Sequence, residues 1–178
     1  MEALLRTILR QRVTYHAAAK SWAQLVRKLG TPAPGPESLL LPPCAEQLAH
    51  TPYFRLAPLG IEQRRAETIQ RLCTRQLRAD QHAIEPLRDG PVAAAHAALQ
   101  TISGIGPWTI GMAAGLALGD PDAVVPRDLH LPRAVGWELS GDPTADDDQM
   151  LKLLEPYRGH RFRLVRLLWA GKVHAPRR

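Results

Sequence analysis

Apolar residues recur at intervals of three and four from the start of the chain: Leu4, Leu5, Ile8 and Leu9, then Val13, Ala17, Ala18, Trp22, Leu25, Val26 and Leu29. That period places them on one helical face and predicts two amphipathic helices with a break around Gln11–Tyr15. Gly30-Thr31-Pro32 closes the second, since a glycine followed by a proline cannot propagate the helix. Residues 31–43 carry five prolines and a glycine and read as loop. Ala45–His50 reads as a short helix. Leu59-Gly60-Ile61 is a turn into a basic helix over Glu62–Arg78. Ala66, Ile69, Leu72, Cys73 and Leu77 form its inner face, and Arg64, Arg65, Arg71, Arg75 and Arg78 its outer face. Pro91 opens a helix to about Thr101. Gly104-Ile105-Gly106 is a tight turn, and Pro107–Leu118 is helical again. Beyond the turn-rich stretch Gly119–Pro126, helices are expected at about 131–139, 144–154 and 160–171. Only Ala123-Val124-Val125 hints at extended chain, so the expected fold class is all-α.

A length of 178 residues suits one domain, or two small lobes around a shared cleft. The lobes are expected as a central one over about 13–118, with a hairpin at 99–115, and a second made of 1–12 plus 119–178. A hydrophobic fraction of 45% excludes a disordered chain. The net charge of +6 fits a polyanion such as nucleic acid, or simply a soluble Arg-rich protein. Cys44 and Cys73 are the only cysteines, and neither lies in a CxxC pair. Two thiols exclude a four-cysteine zinc or iron–sulfur site from this chain alone and argue against a disulfide scaffold. The N-terminal segment lacks the apolar core of a signal peptide, and no run approaches the ~18 apolar residues of a membrane span. A cytoplasmic place is expected, with the bacterial nucleoid as the site of work. His16, His130 and His160 are isolated, without ligand spacing, so no metal site is expected.

The sharpest motif is Leu99-Gln100-Thr101-Ile102-Ser103-Gly104-Ile105-Gly106-Pro107-Trp108-Thr109-Ile110. Two glycines one residue apart permit positive φ and close backbone approach. Pro107 suits the first turn of a helix. Backbone N–H groups at Gly104, Gly106 and the helix start then form an anion site able to hold a phosphate without reading sequence. A plain helical corner uses the same glycines.

This hairpin resembles that of the helix-hairpin-helix base-excision DNA glycosylases. After it comes a Gly/Pro-rich connector, Gly119-Asp120-Pro121-Asp122-Ala123-Val124-Val125-Pro126-Arg127-Asp128, in which Asp128 stands where the family places its essential aspartate. Ile8-Leu9-Arg10-Gln11-Arg12-Val13-Thr14 is similar to the family's early I-x-x-Q-x-V-S/T segment. Pro156-Tyr157-Arg158-Gly159-His160-Arg161, running into Leu167-Leu168-Trp169, resembles the C-terminal helix of the alkylpurine branch. Bifunctional members carry a nucleophilic lysine where this chain has Trp108, which cannot form an imine. The tail from Gly159 to Arg178 has no cysteine, unlike the iron–sulfur members. Some alkylpurine members carry an added N-terminal lobe with no counterpart here. Ile110 replaces the family's usual alanine.

The resemblance implies a monofunctional DNA glycosylase without lyase activity, acting as a monomer on double-stranded DNA that contains damaged bases, with alkylated purines as the expected class. It implies no organic cofactor, and leaves a monovalent cation at the hairpin open. Asp128 is the implied catalytic residue, and capping of the following helix is its alternative role. Gly104, Ile105, Gly106, Thr109 and Arg127 are the implied DNA-backbone contacts, and Arg133 also flanks Asp128. Gln11 and Arg12 match the wedge that fills the gap left by a flipped base. Trp108, Met112 and Tyr15 are the candidate base pocket, Trp108 and Met112 lying one turn apart. Trp22 and Trp169 read as core. Asp120 and Asp122 read as turn residues. Three other readings remain: a glycosylase for mismatched adenine, thymine or uracil; a non-catalytic hairpin module; and an all-α regulator, for which no recognition helix is spaced.

Overall fold

The computed structural model describes residues 1–35, 38–77 and 92–176. Arg78 and Pro91, expected at the end of one helix and the start of the next, lie outside the described residues. The fold is all-α, and contacts divide the chain into two compact units, Met1–Gly106 and Pro107–Arg178. This division differs from the lobes expected at 13–118 and at 1–12 plus 119–178: residues 1–12 fall in the first unit, where the opening helix packs on two helices of the same unit.

The first unit begins with α1 (Glu2–Leu9) and α2 (Tyr15–Leu29). Thr14 sets the start of α2, its hydroxyl accepting from Ala17 N at 3.2 Å, an N-cap of the kind that contributes about 1 kcal/mol. The loop after α2 contains a short antiparallel pair unforeseen from the prolines. β1 (Thr31–Pro32) pairs with β2 (Leu40–Leu41), in the register Thr31 to Leu41. Pro32 is tolerated because a two-strand pair leaves an outer edge with no ladder bond to make. α3 (Ala45–His50) matches the expected helix, and a one-turn α4 (Tyr53–Leu56) with a 3-10 turn at Ala57–Leu59 follows. α5 (Gln63–Leu77) is the hub of the unit, packing against α1, α3 and α4. α6 (Val92–Gln100) leads into the hairpin turn.

Arg65 is the main correction to the sequence pattern. It was expected on the solvent face of α5, yet it is 5% exposed. The reason is geometric: position 65 lies four residues before Ile69 and seven before Leu72, on the apolar stripe. A buried guanidinium needs partners for its charge and donors. Nη1 donates to Leu9 O at 2.9 Å and Nη2 to Gly60 O at 3.1 Å, while Nε makes no hydrogen bond and is met only by the Glu62 carboxylate at 3.8 Å.

The second unit contains α7 (Pro107–Ala113), α8 (Leu131–Ser140), α9 (Asp147–Leu154) and α10 (Arg161–Ala170). The helix expected over 107–118 changes character: after Ala113 it widens into a π-helical turn, Ala114–Leu118, closed by Gly119 at φ +68°. α9 starts later than the expected residue 144 because Asp146 and Gln149 form a reciprocal capping box. Met112, Val125, Leu131, Val135, Met150, Phe162 and Val165 form the core of this unit, with Trp108 packed against it. Ala123-Val124-Val125, the one hint of extended chain, forms no strand. Among the described residues no helix is long and apolar enough to cross a membrane.

Candidate active site

In the first unit, two turns carry the expected DNA contacts. One joins α1 to α2. Its Gln11 is half-buried, and its Arg12 is exposed with φ +56°. A non-glycine residue in the left-handed region costs on the order of 1 kcal/mol and points to a conformation imposed by its surroundings. The other is the hairpin turn, where Gly104 has φ +94°. A Cβ at Gly104 would also lie 2.1 Å from Thr68 Oγ1, so both backbone conformation and close packing demand glycine. Gly106 has neither a positive φ nor a neighbour that a Cβ would meet, so the second glycine of the pair serves less than its motif suggests. The side chains of Ile102 and Ile105 are buried beneath the turn. Gln11 Nε2 donates to Gly104 O at 2.9 Å, and so links the two turns across 93 residues of sequence. Tyr15 is 74% exposed with the Arg10 guanidinium 5.5 Å from its ring centre.

The second unit holds Asp128, on the connector just before α8. Oδ1 accepts from His130 N and Leu131 N, both at 2.9 Å. Oδ2 accepts from the Trp108 indole Nε1 at 2.8 Å. The carboxylate therefore does what a cap does, satisfying N–H groups at the start of α8. It is also fixed from the other side by a residue of α7. All three donors are neutral, and among the described residues no ion pair involves Asp128. The carboxylate is half-buried, and Leu129 beside it is 80% exposed.

The connector is pinned along its length. A Cβ on Gly111 would fall 2.1 Å from Val124 O, so a bare backbone at Gly111 lets the chain lie against α7. Asp120 Oδ1 accepts from Asp122 N, confirming the turn role expected of this aspartate. Asp122 Oδ1 accepts from Gly159 N at 2.6 Å, and Phe162 N donates to Pro121 O at 2.8 Å, which clasps the connector to α10. Arg127 has φ +60°, and its N–H donates to both Asp147 oxygens, at 3.1 and 3.0 Å. Its side chain and that of Arg133 are exposed.

Several expected residues sit differently. Met112 is 1% exposed and belongs to the core, because the face of α7 that it occupies turns inward; it presents no pocket wall to solvent. Thr109 is 2% exposed, so a phosphate contact from it falls to its backbone N–H in the first turn of α7. Trp22 and Trp169, read as core, are neither of them fully buried. Trp22 lies under the Arg6 guanidinium, 4.6 Å from its ring centre, and Trp169 meets Phe162 edge-on at 6.1 Å. Arg65, Thr68 and Asp147 are supports that sequence reasoning missed. Arg65 alone had a signal, its place on the apolar stripe.

The family model for HhH-GPD superfamily base excision DNA repair proteins matches residues 5–158. The chain belongs to this family. Solved structures share the fold over nearly all of the chain. A 3-methyladenine DNA glycosylase from Archaeoglobus fulgidus is 22% identical, with a TM-score of 0.78 over 96% of this chain and 58% of its own. A 3-methyladenine DNA glycosylase from Schizosaccharomyces pombe, in complex with abasic DNA, is 19% identical, with a TM-score of 0.79 over 99% and 82%. An 8-oxoguanine glycosylase/lyase from Clostridium acetobutylicum, bound to DNA, is 14% identical, with a TM-score of 0.76 over 96% and 59%. The chain spans less than two thirds of the length of the first and third of these. No curated protein matches it in sequence. The matched span contains both the Gly104–Gly106 turn and Asp128. Among the described residues, no group of three or more His, Cys, Asp or Glu is placed to hold a metal ion.

Proposed function

We propose that this HhH-GPD protein is a monofunctional DNA glycosylase that hydrolyses the N-glycosidic bond of an alkylated purine flipped from duplex DNA. The observation that carries the reading is Asp128, whose two carboxylate oxygens are held by three neutral N–H groups. Positive charge develops on the deoxyribose as the C1′–N bond breaks, and a fixed carboxylate beside the ring stabilises it. The bonding electron pair leaves with the base. An N-alkylated purine is already cationic, so it departs neutral and needs no acid. Water then adds at C1′, and its proton passes to Asp128 or to solvent.

The Gly104–Gly106 turn and the first N–H groups of α7 hold backbone phosphates, with Ile105 and Thr109 contributing through their main chains and Arg127 through its exposed side chain. Arg12 fills the stack. Trp108 and Tyr15 supply the aromatic surfaces for the flipped base. The indole at Trp108 leaves no amine for a Schiff base there. A monovalent cation at the hairpin would be held by turn carbonyls, of which Ile102 O and Gly104 O each take one hydrogen bond already, and would add positive charge to the phosphate grip. The protein acts as a monomer on this reading.

The test is incubation with methylated duplex DNA and chromatographic identification of the free bases. Methylated purines are expected, with no borohydride-trapped adduct between protein and DNA. Release of unmodified or mismatched bases alone would move the specificity elsewhere in the family. A trapped adduct would make the enzyme a lyase, and no release at all would leave a DNA-binding module.

A further inference from the structure

The two DNA-facing turns of the first unit are built on one helix. Arg65 of α5 holds the last carbonyl of α1, Leu9 O, one residue before Arg10 and two before Gln11. One turn further along, Thr68 sits under Gly104 so tightly that a methyl group there would clash. A further turn along, Arg71 reaches Ser103 O at 3.4 Å while bound to Glu67 at 2.9 Å. Gln11 Nε2 closes the frame by donating to Gly104 O. The residue after Gln11 is Arg12, exposed and held in a left-handed conformation that an unconstrained arginine seldom adopts.

We propose that Gln11 is a positioning strut rather than half of the wedge: with Arg65 behind it, it locks the α1–α2 turn to the hairpin turn, so that gripping a phosphate at Gly104–Gly106 sets where Arg12 enters the base stack. This rests on the reading of Arg12 as the side chain that fills the gap. Gln11 is half-buried and its amide is committed to the hairpin carbonyl, which leaves Arg12 as the projecting group. Phosphate grip and stack insertion thereby become one mechanical unit. An arginine inserted this way brings its charge with it, unlike an apolar wedge.

The distinguishing measurement needs binding but no base release. A duplex carries 2-aminopurine next to an abasic-site analogue, and a side chain driven into the stack there raises its fluorescence. The wild type at saturating concentration gives the rise, and Arg12→Ala removes it. Gln11→Ala, and Gln11→Met, which keeps the length but lacks the donor, are expected to cut the rise by about fivefold or more, whereas a Gln11 acting as wedge would keep most of it in Gln11→Met. Thermal unfolding of each variant separates this from loss of fold. The proposal is overturned if either Gln11 variant keeps the full rise. A wild type that binds this duplex without any rise also overturns it, while leaving base release from methylated DNA untouched.

Discussion

Trp108 carries two jobs. It packs against the core of the second unit, and its indole N–H reaches the Asp128 carboxylate. A hydrogen bond to a carboxylate contributes about 1.5–3 kcal/mol when both partners are shielded from water. The same doubling holds for Asp128, a helix-terminal acceptor and the proposed catalytic group. Cys73 illustrates the opposite case, a reactive group type with no chemistry to do. It lies fully buried on α5, and burial, reinforced by the nearby Cys44, pushes its thiol up to about 12 from the ordinary 9.0. The folded state keeps the proton where the unfolded chain loses it. This contribution to stability is present below pH 9.0 and drains away as the pH rises toward about 12. Near pH 8 the native protein is expected to react with one equivalent of a disulfide reagent, at exposed Cys44, and with a second only in denaturant. Two rapid equivalents from the native protein would contradict the burial.

The elements most legible in the sequence are those whose apolar period and flanking breaks bound them: α2 between Thr14 and Gly30, α3, α8 and α10. The hairpin was legible as a motif, but not its mechanics. Gly104 is required twice over, by φ and by Thr68, while Gly106 is required by neither. Gly104→Ala is therefore expected to lower stability by about 1–3 kcal/mol and to weaken duplex binding, whereas Gly106→Ala is expected to leave stability within about 0.5 kcal/mol. Paired thermal melts and binding titrations check this. Equal effects from both substitutions would contradict the assignment. What the sequence hid are a β pair between proline-rich segments, a pairing that no local period marks, and a π-helical turn after Ala113. The inward turn of Arg65 was legible in its place on the apolar stripe, against which its charge argued for the outer face.

The chain as a molecule is basic, with a net charge of +6, and exposed arginines stand on the α1–α2 turn (Arg12), on the connector (Arg127) and on α8 (Arg133). Such charge supplies affinity for a polyanion but no chemistry. On the proposed reading the chemistry rests on one carboxylate, Asp128, whose charge would oppose the phosphates of a bound duplex. Asp128→Asn is the direct trial: its amide oxygen still accepts from the start of α8, its NH2 gives up the Trp108 bond, and thermal unfolding checks that the fold is kept. Under single-turnover conditions on methylated duplex DNA, the variant is expected to bind at least as tightly as the wild type and to release base more slowly by about 100-fold or more. A variant that releases methylated purines at the wild-type rate would contradict the account.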